Sequence, residues 1–592
     1  MAVIDGIVII LYFAIVLVAG VMFSRMSSRN LKSYFLGDLR IPWLGLAISG
    51  SVATFDVTGT MWMVTVLYLL GMKSWWHHWM WGVMLPAFGL AYMGVWVRRS
   101  NVLTAAEWMI TRFGDSTAGR TARAVYALMA VITTVAFIGY AFEGIGKFAN
   151  VYVPLEQFAD KVPFARHLLT EHAYKTWGVF ILAFTTLYVV LGGLFGVVLT
   201  DVIQTIILTI AAIIIAYIGW SQVSPEALAR AIPPGWESIK PVWRIAELHG
   251  TQNAYYEMFG FLTIAWVMKG ILLNAGGPGQ LYDFQRYLAA RTPSDAAKLA
   301  AAWPFFLVVR WAMVAGITIL ALTGIASVTD PELVMPTVLN KFLPVGLRGL
   351  IIAGLLAAFM STFSATANSG ASYIVRDIWQ PFIRPNASEK SLIQMSYLAT
   401  ILVVLIGMVI GWNAESISSI WGWLMMALGG GVIMPNVLRW HWWRINGWGY
   451  AAGVMGGIIL SFLPVLKPEM PVYVSFPLIC AGSLIASIVV SLLTKPTERE
   501  TLLAFYTRVK PFGFWGEIKT QAQIDEKEKA KTGEEPWRLL LNTLIAIAGI
   551  TGLYLSPMYL VEHFYLQSGL WLGTALVAGV ILYFTWYLKL ES

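Results

Sequence analysis

Charge and cysteine are both scarce in this sequence. Charged residues make up 12% of the 592 positions, whereas soluble domains carry about 25%. A soluble chain of this length would fold into several domains with polar surfaces, and this composition excludes that class. The single cysteine, Cys480, lies in an apolar stretch, so neither a disulfide framework nor a cysteine-based metal site is expected.

The motifs of common catalytic sites are missing too. The sequence has no P-loop, no His/Glu spacing of the zinc-peptidase kind and no Gly-x-Ser-x-Gly elbow. We therefore expect no enzyme activity, no ATP hydrolysis and no organic cofactor. The formal net charge of +8 does not indicate nucleic-acid binding, because the cytoplasmic loops of membrane proteins carry an excess of Lys and Arg.

Long apolar runs are abundant. Hydrophobic residues fill 58% of the chain, and runs of about 20 residues, the length that crosses a bilayer as a helix, recur throughout it. They predict an all-α polytopic membrane protein with about fifteen transmembrane helices. The predicted spans are 4–24, 42–71, 75–97, 121–147, 175–191, 195–220, 252–275, 301–327, 347–375, 391–412, 416–438, 447–466, 472–493, 537–556 and 566–588.

The distribution of loop charge predicts the orientation. If the N-terminus lies outside, most of the 40 Lys and Arg residues fall in loops on the inner side, as the positive-inside rule requires. We therefore expect a multi-pass protein of the cell (inner) membrane with the C-terminus in the cytoplasm. The first run lacks a basic n-region and a small-residue cleavage site, so we interpret it as a retained helix rather than a signal peptide.

Residues 495–536 form a long polar segment between the later spans. The charged run at 525–531 is typical of a solvated cytoplasmic connector. The aromatic groups at 505–506 and 512–515 make the preceding part amphipathic enough to lie on the membrane surface. A regulatory role for the segment stays open.

The span at 42–71 contains a polar interruption at 48–60, rich in Ser, Thr and Gly and carrying Asp56. These residue types allow a helix to unwind and free its carbonyl oxygens for a hard cation. Close packing of helices through small residues is the other interpretation. It does not explain Asp56, because a carboxylate at a bilayer centre costs roughly 2.5–3.5 kcal/mol.

A second polar stretch, 354–369, carries hydroxyl and small side chains at helical spacing on one face. Neutral hydroxyls suit a weakly held monovalent ion, and they suit helix packing equally well. A third stretch, 191–204, has a predicted tight turn at Gly192 and Gly193, followed by Asp201 and Gln204 on one helix face. The Asp201 carboxylate is expected to attract a departing cation or to cap a neighbouring helix.

A further break at 274–279, with Pro278 and three glycines, would correspond to the break at 48–60 in an inverted repeat. The two repeats would cover about 42–220 and 252–438.

These segments resemble the sodium/solute symporter family, which includes proline, galactose and sialic acid carriers. The similar motifs are 357–364, 192–201, 285–291 and 104–114, with Ala106 where the family has proline. The resemblance runs from the first span to about residue 440, with the four motifs in the family's order. It implies an inverted five-plus-five helix fold of the leucine-transporter type, alternating access, and sodium-coupled symport of a small organic solute.

The resemblance also implies site residues. The sodium-site residues would be Thr54, Val57, Ala358, Ser361 and Thr362. Asp201 and Ser364 match a second cation site or exit path, but Ala365 stands where a serine would complete that site, which favours one sodium. The expected substrate or gating residues are Phe55, Asp56, Thr58, His78, Trp79 and Gly276.

Other polar residues within the spans leave alternatives open. Lys269 and Arg310 would meet a substrate carboxylate or pair with acidic residues inside the bundle, Glu143 among them. His77 and His78 are expected at the outer interface, in an aromatic belt. Proton coupling through Asp56 or Glu143, and a transporter-like sensor acting through a partner, are the rival functions.

The sequence predicts five parts along the chain. A first helix and inner loop (1–41) precede a transporter core (42–440), two additional helices (441–494), the connector (495–536) and two C-terminal helices (537–592). The expected partners are sodium, the solute and the lipid bilayer, with no nucleic acid and no obligate protein partner. The residues do not specify which solute is carried.

Overall fold

The structure is a computed structural model that describes residues 2–27, 39–102, 104–189, 194–251, 253–277, 281–325, 330–414, 416–526 and 535–590. These residues are almost entirely helical, in agreement with the predicted all-α class. The helices up to the middle of the chain are α1 (Val3–Ser27), α2 (Trp43–Thr54), α3 (Val57–Leu70), α4 (75–99, with two π-helical turns), α5 (Glu107–Phe113), α6 (Thr117–Tyr152), α7 (Ala173–Val189), α8 (Leu194–Gln222), α9 (Phe259–Ala275) and α10 (Leu281–Ala289). Apart from short helices, among them Arg166–Thr170, Pro225–Ala231 and Val334–Phe342, the remaining helices are α11 (Pro293–Gly324), α12 (Leu347–Phe382), α13 (Glu389–Trp412), α14 (417–441), α15 (Gly447–Leu466), α16 (Val472–Leu493), α17 (Arg499–Val509), α18 (Gly516–Glu526), α19 (Pro536–Val561) and α20 (Tyr565–Thr585).

Ten of the described helices are long and apolar enough to cross a membrane. The pair α2 and α3 adds an eleventh if it is one span, bent by 60° at its break. Each of the fifteen apolar runs in the sequence overlaps one or more of these helices. Hydropathy therefore predicted where the helices lie. The predicted count of fifteen crossings is higher than the ten or eleven described helices that are long and apolar enough to span a membrane.

Ion pairs join helix ends that are distant in the sequence, at two places in the bundle. At one end, the Asp5 carboxylate accepts hydrogen bonds from Arg348 at 2.7 Å and from the Gly346 amide at 2.7 Å. At the other end, Arg123 forms an ion pair with Asp377 at 2.6 Å. Each of these contacts joins two segments that the loop charges put on the same side of the membrane. We call the end with Asp5 the outer end and the end with Arg123 the inner end.

Small residues bring neighbouring helices together, as is common in membranes. The backbones of α14 and α15 meet at Gly431 and Gly457, and a Cβ built on Gly457 would lie 1.8 Å from the Gly431 carbonyl oxygen. Between α15 and α16, a Cβ on Gly453 would lie 1.8 Å from the Ser487 hydroxyl. The two helices that follow the predicted core are thus packed tightly onto its last helix.

The connector differs from the prediction for its aromatic part. Phe505, Tyr506 and Trp515 are buried against the inner end of the bundle, whereas Phe514 is 79% exposed. The buried rings surround Arg112 of α5, whose guanidinium lies 5.4 Å from the Phe505 ring centroid and 5.0 Å from that of Trp515. An amphipathic segment needs only an apolar surface, and here a protein surface supplies it. Residues 527–534 of the charged run lie outside the described residues.

Candidate transport site

The polar interruption at 48–60 is a real break between two half-helices. Helix α2 ends at Thr54, and α3 begins at Val57 after the extended residue Asp56. The Asp56 side chain caps α3 by accepting a hydrogen bond from the Gly59 amide at 3.0 Å. A carboxylate is favourable there, because the N-terminus of a helix has unpaired amides and a partial positive charge.

Arg310 of α11 contacts both half-helices at the break. Its guanidinium donates to the Thr54 carbonyl at the C-terminus of α2, where a cation is favoured by the helix dipole. It also donates to the Thr60 hydroxyl at 3.0 Å and to the Asp56 carboxylate at 3.3 Å. One arginine thus holds both half-helices in register.

The two charges at the break compensate each other inside the bundle. The side chains of Arg310 and Asp56 are 9% and 14% exposed, so each charge would be costly without the other. Of the two alternatives for Arg310, the structure shows pairing within the bundle. Its partner is Asp56 rather than Glu143, which lies 3.4 Å from Lys147 instead.

On the side of the break away from Arg310, oxygen atoms of α12 lie close to the end of α2. The Thr362 hydroxyl lies 2.9 Å from the carbonyl oxygen of Ala53 and 3.0 Å from that of Ala358. Thr362 and Ala358 therefore meet the break as the resemblance implies. Thr54 does not, because its carbonyl faces Arg310. Successive helical carbonyls point about 100° apart around the axis, so a shift of one residue changes the face.

The other residues expected to bind cations, Ser361, Asp201 and Ser364, do not form one group. Ser361 donates to the buried carboxylate of Asp201, which also accepts from Ser49 at 2.6 Å. Arg286 of α10 donates to the Ser49 hydroxyl at 3.1 Å. Ser364 does not join them, because it donates to the Met360 carbonyl of its own helix at 2.6 Å. The predicted turn at 192–193 lies outside the described residues.

A cavity with about 620 Å³ of space, including its mouth, opens directly beside the break. The lining residues are Ala53, Thr54, Asp56, Gly59, Trp62, Met63, His78, Gly82, Phe137, Leu307, Arg310, Trp311 and Trp421. The cavity combines one ion pair and one imidazole with three indole rings, an arrangement suited to a solute that has both polar groups and an apolar face.

The two histidines are buried inside the bundle and not exposed on its surface. His77 is 0% and His78 2% exposed. Helix α4 starts immediately after α3 and turns them inwards, where His78 packs against Trp62 at 5.2 Å and Trp311 at 5.5 Å. Within the described part of the chain, neither ring nitrogen of His78 has a hydrogen-bond partner.

The other expected substrate residues lie outside the cavity lining. Phe55 is buried, with its ring under the Arg310 guanidinium at 5.2 Å, and Thr58 packs against Gly144 of α6. Trp79 contacts Trp76, with ring centroids 5.2 Å apart.

Gly276 and Lys269 are also away from the cavity lining. The Gly276 carbonyl accepts a hydrogen bond from the Trp440 indole at 2.9 Å. The ammonium of Lys269 lies 5.1 Å from the Trp266 ring centroid. Pro278, which the sequence predicts to end the helix, lies outside the described residues.

A second, wider space, the vestibule, lies at the outer end of the bundle. Lys147 lines the vestibule, and its ammonium lies 2.7 Å from the Glu332 carboxylate and 3.5 Å from the Asp330 carboxylate. Trp421 lines the cavity, whereas Trp423, two residues later, lines the vestibule. The Trp421 ring contacts Trp62 at 5.7 Å, so aromatic rings separate the two spaces.

The sequence did not identify Trp62, Trp311 or Trp421 as wall residues. Buried aromatic residues in apolar helices give the same sequence signal whether they face lipid, another helix or a ligand. Only the fold brings these three indoles together.

Comparison with known proteins gives consistent matches. The model of the sodium:solute symporter family matches residues 168–457. The chain is 26% identical to the sodium/myo-inositol cotransporter 2 of Oryctolagus cuniculus over 589 residues, covering 86% of this chain and 79% of the relative. It is 24% identical to the sodium/glucose cotransporter of Vibrio parahaemolyticus, covering 79% and 87%.

A solved structure has the same fold. It is the substrate-bound, outward-open state of a Na+-coupled sialic acid symporter, with a TM-score of 0.61 and 18% identity. The likeness covers 84% of this chain and 99% of the other.

Proposed function

The chain belongs to the sodium:solute symporter family, and from this premise we propose that its cavity binds an uncharged, hydroxyl-bearing solute. Sodium-coupled symport is the activity of the relatives and of this chain, and no enzyme activity is implied. The observation that carries the proposal is a cavity at a helix break whose only lining ion pair, among the described residues, is internally neutral.

The neutrality of the break supports an uncharged solute. Arg310 already donates to Thr54, Thr60 and Asp56, so a substrate carboxylate would have to compete with these partners. Hydroxyl groups fit better, because they can donate to the Asp56 carboxylate and to an imidazole nitrogen of His78. The indoles offer apolar faces to the ring of a sugar or polyol, and the relatives named above carry myo-inositol and glucose.

We propose one sodium site on the opposite side of the break. The carbonyl oxygens of Ala53 and Ala358 and the hydroxyl of Thr362 supply the hard oxygen ligands that such an ion prefers. Ser361 stands between this group and Asp201, so a sodium leaving towards the inner end would next meet that carboxylate. Val57 is buried at the start of α3 and completes the proposed site through its backbone.

We also propose fifteen crossings, with the N-terminus outside and two inverted repeats over 42–220 and 252–438. Two ion pairs, Asp5 with Arg348 and Arg123 with Asp377, each join helix ends that this topology places on the same side of the membrane, and they support it. Alternating access would then open the outer vestibule and an inner path in turn, with the solute held at the repeat interface.

The test is uptake by the purified protein in liposomes under an imposed sodium gradient. The probes are myo-inositol, glucose and mannose as neutral solutes, with sialic acid as the charged comparison. We expect sodium-dependent uptake of at least one neutral probe and none of sialic acid. Uptake unchanged by removing sodium, or selective for the charged probe, would contradict the proposal. The liposomes contain no other protein, so transport there also shows that no partner is needed.

A further inference from the structure

The C-terminal helix α19 reaches the back of the cavity wall. Trp311 faces the cavity, and its indole stacks on Tyr554 of α19, with centroids 5.1 Å apart and ring planes inclined by 23°. Trp75 packs against the same indole at 4.8 Å. The orientation of this wall residue is therefore set by a helix from outside the predicted core.

The packing behind the wall leaves no space. Tyr554 is 0% exposed. At Gly82, which lines the cavity, an added Cβ would lie 2.6 Å from the Trp311 indole and 3.0 Å from the Tyr554 ring. Interiors packed this closely transmit a change of side-chain volume to their neighbours. Within the described residues, the Tyr554 hydroxyl has no hydrogen-bond partner, so the ring rather than the hydroxyl makes the contact.

Hydrogen bonds hold α19 and α20 in place on the core. Beyond Tyr554, the Tyr559 hydroxyl donates to the Glu237 carbonyl at 2.8 Å. A ring nitrogen of His563 lies 2.6 Å from the Val223 carbonyl oxygen. After α20, the Trp586 indole donates to the Leu90 carbonyl of α4 at 2.8 Å. These anchors fix the position of the Tyr554 ring.

We propose that Tyr554 is a positioning residue that sets the Trp311 indole and so limits the size of solute the cavity accepts. The C-terminal helix pair is then part of the specificity of the transport site and not only an apolar surface towards lipid. This inference rests on the proposed function, because it takes the cavity beside the break as the solute site.

The experiment compares three variants in sodium-driven uptake by liposomes. Tyr554→Leu removes the ring, Tyr554→Phe keeps it, and Tyr583→Leu removes a tyrosine that is 48% exposed on α20. For the neutral probe that the unmodified protein takes up, we expect Tyr554→Leu to raise the KM by about fivefold or more. The half-saturating sodium concentration should change less than twofold. We expect Tyr554→Phe and Tyr583→Leu to match the unmodified protein.

A second readout tests size directly. Competition by maltose, a disaccharide too large for the unaltered wall, should become measurable in Tyr554→Leu and stay absent in the two controls. A fall in maximal rate with an unchanged KM and unchanged competition would overturn the inference, since that result indicates only a structural role. An equal effect of Tyr583→Leu would overturn it as well.

If Tyr554→Leu does not fold, the pair Trp311→Phe and Trp311→Phe/Tyr554→Trp replaces it. Trp311→Phe alone should raise the KM, and the larger side chain at position 554 in the double variant should lower it again. A KM that stays high in the double variant would contradict the inference. If the unmodified protein takes up none of the neutral probes, the proposed function fails. If it does, and these variants behave like it, only the inference about Tyr554 fails.

Discussion

Thr362 and Ser364 lie half a turn apart on α12 and have different surroundings. The Thr362 hydroxyl meets carbonyls from two helices, whereas Ser364 bonds within its own helix. We expect Thr362→Ala to raise the half-saturating sodium concentration about tenfold, which corresponds to roughly 1.4 kcal/mol, because one sodium ligand is lost. Ser364→Ala is the matched control and should change it less than about twofold. Sodium titration of uptake measures both, and equal effects would remove Thr362 from the sodium site.

Asp56 and Arg310 should behave as one unit. Asp56→Asn or Arg310→Gln alone leaves a buried charge without its partner, and each should destabilise the protein by about 3–5 kcal/mol. The double variant removes both charges and should recover a large part of that loss. Thermal unfolding in detergent measures the stability of all three.

An exposed ion pair provides the control for this cycle. Arg166 and Asp160 form an ion pair of 3.8 Å in the loop between α6 and α7, with side chains 70% and 90% exposed. Arg166→Gln should have little effect, since exposed pairs contribute little. Additive effects of Asp56→Asn and Arg310→Gln would mean that the two charges do not stabilise each other.

At the residue scale, the sequence predicted the importance of Asp56 because a carboxylate within an apolar run is costly and so needs a reason. The resemblance pointed to Thr54 and not to Ala53, whose carbonyl meets Thr362; one residue along a helix rotates the carbonyl to another face, so motif matching alone does not fix this position. The sequence could not choose the partner of Arg310 either, because pairing depends on which helices the fold brings side by side.

At the element scale, the apolar runs located the helices well, because the need to satisfy backbone groups in lipid ties hydropathy to helical structure. The connector was harder to interpret. Its aromatic residues suit a membrane surface and a protein surface equally, and only the packing of α17 against α5 and α14 decides between them.

Arg112 lies between the aromatic rings of the connector and the end of α14. Its guanidinium donates to the Arg439 carbonyl at 2.8 Å and the Trp442 carbonyl at 3.0 Å, at the C-terminal end of α14. Arg112→Ala should destabilise the protein by about 3 kcal/mol and make the segment 499–526 more sensitive to protease. Thermal unfolding and timed proteolysis in detergent measure the two effects.

The matched control is Arg120→Ala, which removes an exposed arginine paired with Asp115 at 2.8 Å. It should leave unfolding and proteolysis nearly unchanged. If Arg112→Ala behaves in the same way, α17 and α18 are held to the bundle by other contacts.

At the scale of the whole molecule, the proposed topology can be tested through the sides on which its loops lie. The proposed fifteen crossings, an odd number, would put the two termini on opposite sides of the membrane, and the excess of Lys and Arg in one set of loops predicts that the C-terminus lies inside. The loops then alternate, so Lys161, between α6 and α7, should face outwards and Lys519, on α18, inwards. Both side chains are exposed, and the native Cys480 is buried, so cysteine labelling has a low background.

In intact cells, a membrane-impermeant maleimide should label Lys161→Cys and leave Lys519→Cys unlabelled. After lysis it should label both. The reverse pattern would invert the orientation while keeping the fold. Labelling of both positions in intact cells would mean an even number of crossings between α6 and α18, which contradicts the odd number in the proposed topology.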